Sequence, residues 1–481
     1  IAPADSTVDT APRGLIDACR DCLGPQGVLD DAASFSRYAH DWAQDHVGEF
    51  CAVLRPVSAS EVAKVCQLCA QYGVGIVPQG GHTGLVAGAQ QTGAICVLLS
   101  LERMNQIEEI DPENMSCTVQ AGVVLETLQT ALTEHGLRFG VEIGSQGTAQ
   151  IGGLVSTNAG GIRVVRHGMT AANVLGLEVV LPDGKIVSSI TGLHKDNRGP
   201  DPTRLAIGAE GSLGLVTRAC LKVLPQEAHT ATAYVGCDGM AEALALLGHV
   251  RRSCHEVLAA FEVMSDTSVL LAKLVNDAFV PPLDAPTHVL VELSSVMDVP
   301  LQALMERALG EALEAGLAQD VIIAQSQSQA KRFWAIREGL VEGHSMRGYH
   351  VRSDISVKLG RLPTTAAALE TMLRTEFPDW IPQTYGHMGD GNLHFNALPP
   401  LDLDVAVARQ IGADIEKRIF EIATDNEGSF SAEHGIGRTK ARWFRETLPE
   451  RHDVLARIKC SLDPGNMMNP GCLVTTRQEA S

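Results

Sequence analysis

The stretch Pro78-Gln79-Gly80-Gly81-His82-Thr83-Gly84-Leu85 packs three glycines into eight residues directly after a strand-like run, 75–78. Its chemistry sets the architecture expected of the first half of the chain. Successive glycines let backbone N–H groups turn toward one point, making a concavity that binds phosphate without a lysine. A second cluster follows, Gly144-Ser145-Gln146-Gly147-Thr148 and then Gly152-Gly153-Leu154-Val155-Ser156-Thr157-Asn158-Ala159-Gly160-Gly161. A third is Gly208-Ala209-Glu210-Gly211-Ser212-Leu213-Gly214. Tight turns also use glycine, so each cluster alone is ambiguous. Three within one half of the chain point to an extended, phosphate-bearing cofactor. No GxGxxG lies between a strand and a helix and no GxxxxGK[ST] occurs, which removes the dinucleotide fingerprint and the P-loop.

Around these clusters the pattern alternates. Ser60 precedes an amphipathic stretch, 61–72, that stops at Gly73. Runs 97–100, 117–121, 174–181 and 219–224 read as strands, 125–135 as a helix closed by Gly136, and Pro182-Asp183-Gly184-Lys185 as a turn into 186–189. After Pro225 glycine loops thin out. Helical patterns at 301–315, 327–346, 364–377 and 403–426 alternate with strands at 288–293, 352–357 and 393–397. That predicts an α+β fold whose second half is a mixed or antiparallel sheet covered by helices on one side. The segment 428–471 returns to loops and glycine. Boundaries fall near 226 and 426, giving units 1–226, 227–426 and 427–481.

Composition narrows the function classes. The 481 residues carry 57 acidic and 38 basic side chains, a formal charge of −19, which argues against nucleic-acid or anionic-membrane surfaces. No apolar run approaches the ~20 residues of a membrane span, and residues 1–13 lack a basic-then-apolar targeting pattern. The twelve cysteines are scattered. Two pairs, Cys19/Cys22 and Cys66/Cys69, have CxxC spacing inside amphipathic helical stretches, where i,i+3 is the spacing of a buried face; a metal or redox pair is the alternative. A reducing, cytoplasmic compartment is expected.

The second half carries Tyr385-Gly386-His387-Met388-Gly389-Asp390-Gly391-Asn392-Leu393-His394-Phe395-Asn396. On an unbroken strand two histidines seven apart face opposite sides, but the Gly-Asp-Gly turn can swing both imidazoles toward one point. His394 and Asn396 then share a face. Downstream, Ser431-Ala432-Glu433-His434-Gly435-Ile436-Gly437 offers an adjacent carboxylate and imidazole. Two imidazoles and one carboxylate with open positions is the composition of a catalytic divalent-metal site, Zn²⁺ or Mn²⁺ rather than Ca²⁺. In a chain of 16 histidines, chance pairs of satisfied or surface histidines are the competing reading.

On these residues the chain resembles known flavoproteins. The first half is similar to the FAD-binding domain of the vanillyl-alcohol-oxidase-like (PCMH-type) superfamily, with 78–85 as the pyrophosphate loop and 157–161 and 208–214 as later flavin-contacting segments. The resemblance implies FAD contacts from Pro78, Gln79, Gly80, Gly81, His82, Thr83, Gly84, Leu85, Gly144, Ser145, Gly147, Thr148, Gly152, Gly153, Thr157, Asn158, Gly161, Glu210, Gly211 and Gly214. In some members a histidine at the place of His82 bonds covalently to the flavin; in the branch this chain resembles the cofactor is held without a bond. The 387–396 and 431–437 segments look like the metal-binding signatures of FAD-dependent D-2-hydroxyacid dehydrogenases, particularly those acting on D-2-hydroxyglutarate. Carried over, His387, His394 and Glu433 are the metal ligands, and Asn396 and His434 contact substrate.

Trp334-Ala335-Ile336-Arg337-Glu338 matches the family's substrate-binding arginine, whose planar guanidinium can grip a carboxylate through two hydrogen bonds. The residue-level alternative is a helix-surface arginine paired with Glu338 or Glu342. Two positions depart from the hydroxyglutarate pattern: Val341 replaces a hydroxyl residue and Arg352 replaces a lysine. Near the C-terminus, 462–465 and 469–471 resemble the closing segment in which an asparagine, here Asn469, approaches the flavin; a helix-ending Asn before Pro is the alternative.

The expected reaction is oxidation of a D-2-hydroxy acid (D-2-hydroxyglutarate, or D-malate) to the 2-oxo acid by hydride transfer to flavin N5, with the metal lowering the hydroxyl pKa and His434 as general base. Without an iron–sulfur cysteine cluster, electrons pass to an external acceptor such as an electron-transfer flavoprotein, a quinone or a cytochrome. A homodimer is compatible with this reading. Competing readings are a D-lactate or glycolate dehydrogenase or oxidase of the same superfamily, and a zinc hydrolase with a nucleotide-binding domain.

Overall fold

A computed structural model describes residues 13–91, 93 and 95–475; residues 1–12, most of the stretch searched above for a targeting pattern, lie outside the described residues. Among the described residues no helix is long and apolar enough to cross a membrane. The chain divides into two units. One comprises Ile1–Ala159, Met169–Leu224 and His434–Ser481, the other Gly160–Gly168 and Pro225–Glu433.

The first unit is built on two sheets. The smaller orders its strands Val28–Leu29, Val53–Leu54, Cys96–Ser100, Gly75–Gln79, with parallel pairing about Cys96–Ser100. The helix Ala59–Tyr72 covers it and buries Val62, Val65, Cys66 and Cys69 on one stripe. The helix starts two residues earlier than its Ser60 implied. Ser58 is the cap and accepts the Glu61 N–H at 3.3 Å, while the Glu61 carboxylate reaches back to the Val57 N–H at 2.8 Å, a reciprocal box that satisfies two orphan donors. Gly73, at φ 66°, ends it in the left-handed region. Burial pushes the Cys19 and Cys66 thiols up to about 12, so both CxxC pairs sit where helix faces meet a core and thiolate chemistry is suppressed.

The second sheet of this unit is antiparallel, ordered Ile107–Asp111, Ser116–Gln120, Leu215–Pro225, Val174–Val180, Ile186–Ser188, with Leu137–Phe139 also pairing Leu215–Pro225. Its core includes Leu125, Leu128 and Leu132 from the helix Leu125–Thr133 and Leu154 and Val155 from Ile151–Thr157.

The second unit is a seven-stranded sheet, antiparallel throughout: Asp320–Ile323, His229–Cys237, Thr287–Ser295, Leu258–Ser265, Ile381–Gly386, Asn392–Leu398, Asp354–Ser356. The sequence pattern led us to expect helices on one side only. Every residue of Thr287–Ser295 is buried, and neighbours along a strand point to opposite faces, so both faces are covered. The 21-residue helix Gln327–Arg347, capped by Ser326, packs on short helices at 266–269 and 272–275. Gly343 permits that approach, since a Cβ there would lie 2.3 Å from the Leu271 carbonyl oxygen. The buried stripe of this helix, Phe333, Ile336, Leu340, Gly343 and His344, includes Arg337 at its centre.

Candidate functional site

In the first unit the glycine clusters converge. Gly75–Gln79 delivers the chain into the 80–85 loop, and a Cβ on Gly81 would meet the Thr148 carbonyl oxygen at 1.8 Å. Gly80 lies beside Gly153 and Gln150, and a Cβ on Gly211 would strike the Pro78 ring at 2.3 Å. The 78–85 loop is therefore packed backbone against backbone on 148–149, and the 208–214 loop lies against the Pro78 ring. Other glycines have no such reason. Gly84, Gly144 and Gly153 have no protein atom within 4 Å of an added Cβ, and none takes a positive φ. Two acceptors at the same place, Gln79 Oε1 and Gln150 Oε1, are buried without a hydrogen-bond partner. Glycines that neither conformation nor packing demands, beside orphaned amides, fit a bound FAD approaching the backbone.

The remaining residues of this group fall as follows. His82 takes φ 59° and its Nδ1 lies 3.3 Å from the His40 carbonyl, with burial lowering its pKa. Gly147, Ser145 and Thr148 form the turn ahead of Ile151–Thr157, closed by Thr148 N–H to Ser145 at 3.1 Å; Gly152 packs on Ala121, and Thr157 donates to Gly153 at 3.0 Å. Asn158 ends that helix in the left-handed region and accepts the Ala171 N–H at 2.8 Å. Thr83 and Leu85 lie in the 80–85 loop, and Gly214, at φ 153°, packs on Val179. Gly161, by contrast, belongs to the second unit.

Two residues assigned to flavin contact have their side chains committed elsewhere. Glu210 is buried at φ 51°, and its carboxylate accepts the Ile436 N–H at 2.8 Å and the Gly437 N–H at 2.7 Å. Asn469 donates to the Gly88 carbonyl at 3.0 Å and the Glu210 carbonyl at 2.7 Å, and accepts from Arg438 at 2.6 Å. Both tie the 434–437 and 469–472 loops to the glycine loops. A buried carboxylate needs donors, and the backbone supplies them.

In the second unit, Ile381–Gly386 and Asn392–Leu398 form a hairpin whose turn contains Met388, Gly389, Asp390 and Gly391. Gly391, at φ 90°, leaves a Cβ no room, 2.5 Å from the Val357 carbonyl oxygen. The turn brings the His387 and His394 rings to 5.5 Å, edge to face at 82°. Glu433 Oε1 lies 3.5 Å from Nε2 of each imidazole. That spacing is long for a hydrogen bond, but two atoms bound tetrahedrally to one zinc at 2.0–2.1 Å are about 3.4 Å apart. Each imidazole–carboxylate pair therefore has the separation of two ligands on one divalent cation.

Two carboxylates that the sequence pattern did not reveal stand behind these side chains. Glu262 holds His387 Nδ1 at 2.8 Å and Arg337 Nε at 2.9 Å, and it is buried. Asp354, opposite His394 in the strand register, accepts the Ala432 and Glu433 N–H groups at 3.0 and 2.8 Å and Asn392 Nδ2 at 2.8 Å; its Oδ1 is 3.9 Å from His394 Nδ1. Asp354, His394 and Glu433 present ligand atoms within 4.8 Å of one another. Both Asp354 oxygens accept protein donors, which fixes the 432–433 backbone beside His394. A signal for Glu262 existed in the sequence: it is the one charged residue in the apolar run Leu258-Ala259-Ala260-Phe261-Glu262-Val263-Met264.

The electrostatics favour a cation here. Burial alone would raise the Glu433 carboxyl, yet the nearby N–H and positive charge of His387 bring it down to about 2. Burial would lower His387, but Glu262 and Glu433 hold it well above the ordinary imidazole range. Buried acidic charge thus draws a proton onto His387, a place a divalent ion can take.

Arg337 is buried rather than a surface arginine, and its guanidinium lies over the Tyr385 ring at 5.0 Å. Asn396 donates to the Tyr385 hydroxyl at 3.3 Å. Tyr385 stacks between His394 at 5.1 Å and His344 at 5.5 Å. Burial, then the charges of Arg352 and Arg337, lower His344 to about 4. Arg352 is half-buried, whereas Val341, one turn after Arg337, is exposed. The unit thus gathers two guanidiniums, an amide and a phenol beside the imidazole–carboxylate cluster, groups suited to holding carboxylates. His434 directly follows Glu433 and opens the last segment of the first unit.

Two family models match the chain. Residues 51–189 match the FAD binding domain family, and residues 226–473 match the family of FAD linked oxidases, C-terminal domain. The chain is 36% identical over 453 residues to the probable mitochondrial D-2-hydroxyglutarate dehydrogenase of Oryza sativa subsp. japonica, covering 93% of this chain and 79% of that protein. It is 33% identical to the D-2-hydroxyglutarate dehydrogenase of Stutzerimonas stutzeri, covering 95% of this chain and 98% of that protein. Among solved structures, p-cresol methylhydroxylase superposes with TM-score 0.78 at 14% identity over 97% of both chains. Alkyldihydroxyacetonephosphate synthase gives 0.72 at 16% identity over 98% of this chain and 87% of that one. At such identities the likeness concerns the PCMH-type fold.

Proposed function

Because the chain belongs to the D-2-hydroxyglutarate dehydrogenase family of FAD-linked oxidoreductases, we propose that it oxidises a D-2-hydroxy acid, D-2-hydroxyglutarate or its shorter analogue D-malate, to the 2-oxo acid in a reaction that needs a divalent cation. The observation that carries the cation is the placing of His387 Nε2 and His394 Nε2 each 3.5 Å from Glu433 Oε1. When bound, FAD takes up the two electrons of the C2–H bond as hydride and the ion acidifies the 2-hydroxyl, with zinc favoured by the donor set and manganese second.

The chain's own residues do the rest. Arg337 and Arg352 supply the positive charge that an acidic protein must concentrate to bind a dianionic acid. Asn396 and Tyr385 present a hydrogen-bonded pair beside them. His434 accepts the hydroxyl proton as general base, a task for which an imidazole near neutrality is suited. Electrons leave to an external acceptor, an electron-transfer flavoprotein, a quinone or a cytochrome. Family membership removes the zinc hydrolase. The monocarboxylate reading, D-lactate or glycolate, is favoured by Val341, which cannot hydrogen-bond, and opposed by the second guanidinium.

A dye-reduction screen of D- and L-2-hydroxy acids on the FAD-loaded protein tests this. Turnover is expected with D-2-hydroxyglutarate or D-malate and not with L-isomers. Turnover confined to D-lactate or glycolate would contradict the dicarboxylate assignment.

A further inference from the structure

Glu262 is fully buried on Leu258–Ser265, 125 positions before the histidine it touches, and has two charged partners. Its Oε1 is 2.8 Å and its Oε2 2.9 Å from His387 Nδ1, while Oε2 also takes Arg337 Nε at 2.9 Å. A carboxylate only accepts, so Nδ1 of His387 must carry a proton, and Nε2, the atom that faces Glu433, is the nitrogen that offers a lone pair once a cation displaces its own proton. The register explains why this carboxylate and no other is in place: Val263 pairs with Gly386 and Met264 with Tyr385, which lays the strand carrying Glu262 beside the start of the turn carrying His387.

We propose that Glu262 is the positioning residue of the cation centre, fixing the tautomer and ring plane of His387 while it anchors the Arg337 guanidinium with the same carboxylate. The inference rests on the reading of His387 as a cation ligand. Losing such an outer partner costs about 10- to 100-fold in metal affinity. Asp354 cannot substitute, because its oxygens already hold three N–H donors and it faces the other imidazole.

The test is Zn²⁺ affinity of the FAD-loaded full chain, measured without substrate by competition with a chromophoric chelator. E262Q is expected to bind Zn²⁺ about 10- to 100-fold more weakly than the parent, and E262D to recover part of the loss, with flavin content unchanged in both. Equal Zn²⁺ affinity in parent and E262Q would overturn the inference while leaving the cation reading intact. A parent that binds no Zn²⁺ would overturn both. Should E262Q fail to fold, ¹¹³Cd-substituted parent labelled with ¹⁵N-histidine gives the answer alone. A protonated Nδ1 and a cadmium-coupled Nε2 on His387 are expected, and coupling at Nδ1 would refute the role.

Discussion

Replacing Glu210 by Gln separates its structural task from flavin contact. The carboxylate accepts two backbone N–H groups, from Ile436 at 2.8 Å and Gly437 at 2.7 Å, and Gly435 is kept small because a Cβ would lie 2.9 Å from Oε1. A glutamine amide offers one acceptor oxygen where the carboxylate has two, so one N–H is left facing an NH₂ group. An N–H bond to a charged acceptor is worth about 1.5–3 kcal/mol, and an orphaned buried donor costs a similar amount. Against this, burial already pushes the Glu210 carboxyl upward, so removing its charge returns part of the loss. A net destabilisation of about 2 kcal/mol follows, or about 4–8 °C in the melting of a unit this size. Flavin fluorescence released on heating the FAD-loaded chain measures it. Because the loosened loop begins just after His434, turnover should fall about tenfold, the equivalent of 1.4 kcal/mol in the barrier. A variant that melts with the parent and turns over normally would refute the assignment of Glu210 to loop anchoring.

Other consequences are independent of this one. Gly153→Ala adds a methyl in open space on the helix Ile151–Thr157; it should stabilise the FAD-free chain by about 0.5–1 kcal/mol while weakening FAD binding about tenfold or more, and unchanged FAD affinity by titration would contradict the cradle. His344, lowered from 6.5 to about 4 in the folded chain, refuses a proton the unfolded chain accepts, so stability is full above pH 6.5 and falls toward pH 4 by as much as about 3 kcal/mol. H344F should flatten the pH dependence of the melting temperature over that window, and an unchanged slope would assign the titration elsewhere. With Cys460 exposed, Cys22 and Cys51 half-buried and the other nine thiols buried, Ellman's reagent should react fastest with Cys460, and that phase should be lost in C460S. An equally fast phase in C460S would contradict the burial of the remaining thiols.

Features encoded within a few residues were legible in the sequence. The glycine clusters, the hairpin that folds His387 back toward His394 and the pair Glu433-His434 are local, and local spacing exposes them. The helix start was misplaced because Ser58 and Ser60 are both capping residues; the reciprocal bond of Glu61 to Val57 selects the first. Glu262 and Asp354 were missed because what makes them matter is the pairing of strands far apart in the chain. Arg337 stayed ambiguous for the same reason, since a helical pattern does not reveal that its apolar stripe accommodates a guanidinium over Tyr385. Glu210 and Asn469 were placed near the cofactor by resemblance, but which group their side chains serve is fixed by the N–H and carbonyl groups that burial leaves around them.

On the function proposed above, the imidazoles of His387 and His394 and the carboxylate of Glu433 hold an ion on which oxidation depends. Dialysis of the purified flavoprotein against a strong chelator tests it most directly, with metal content, the flavin absorption band and D-2-hydroxy acid turnover followed together. Turnover is expected to disappear with about one equivalent of metal while the flavin band persists, and zinc or manganese is expected to restore it. Full turnover by protein shown to be metal-free would contradict it.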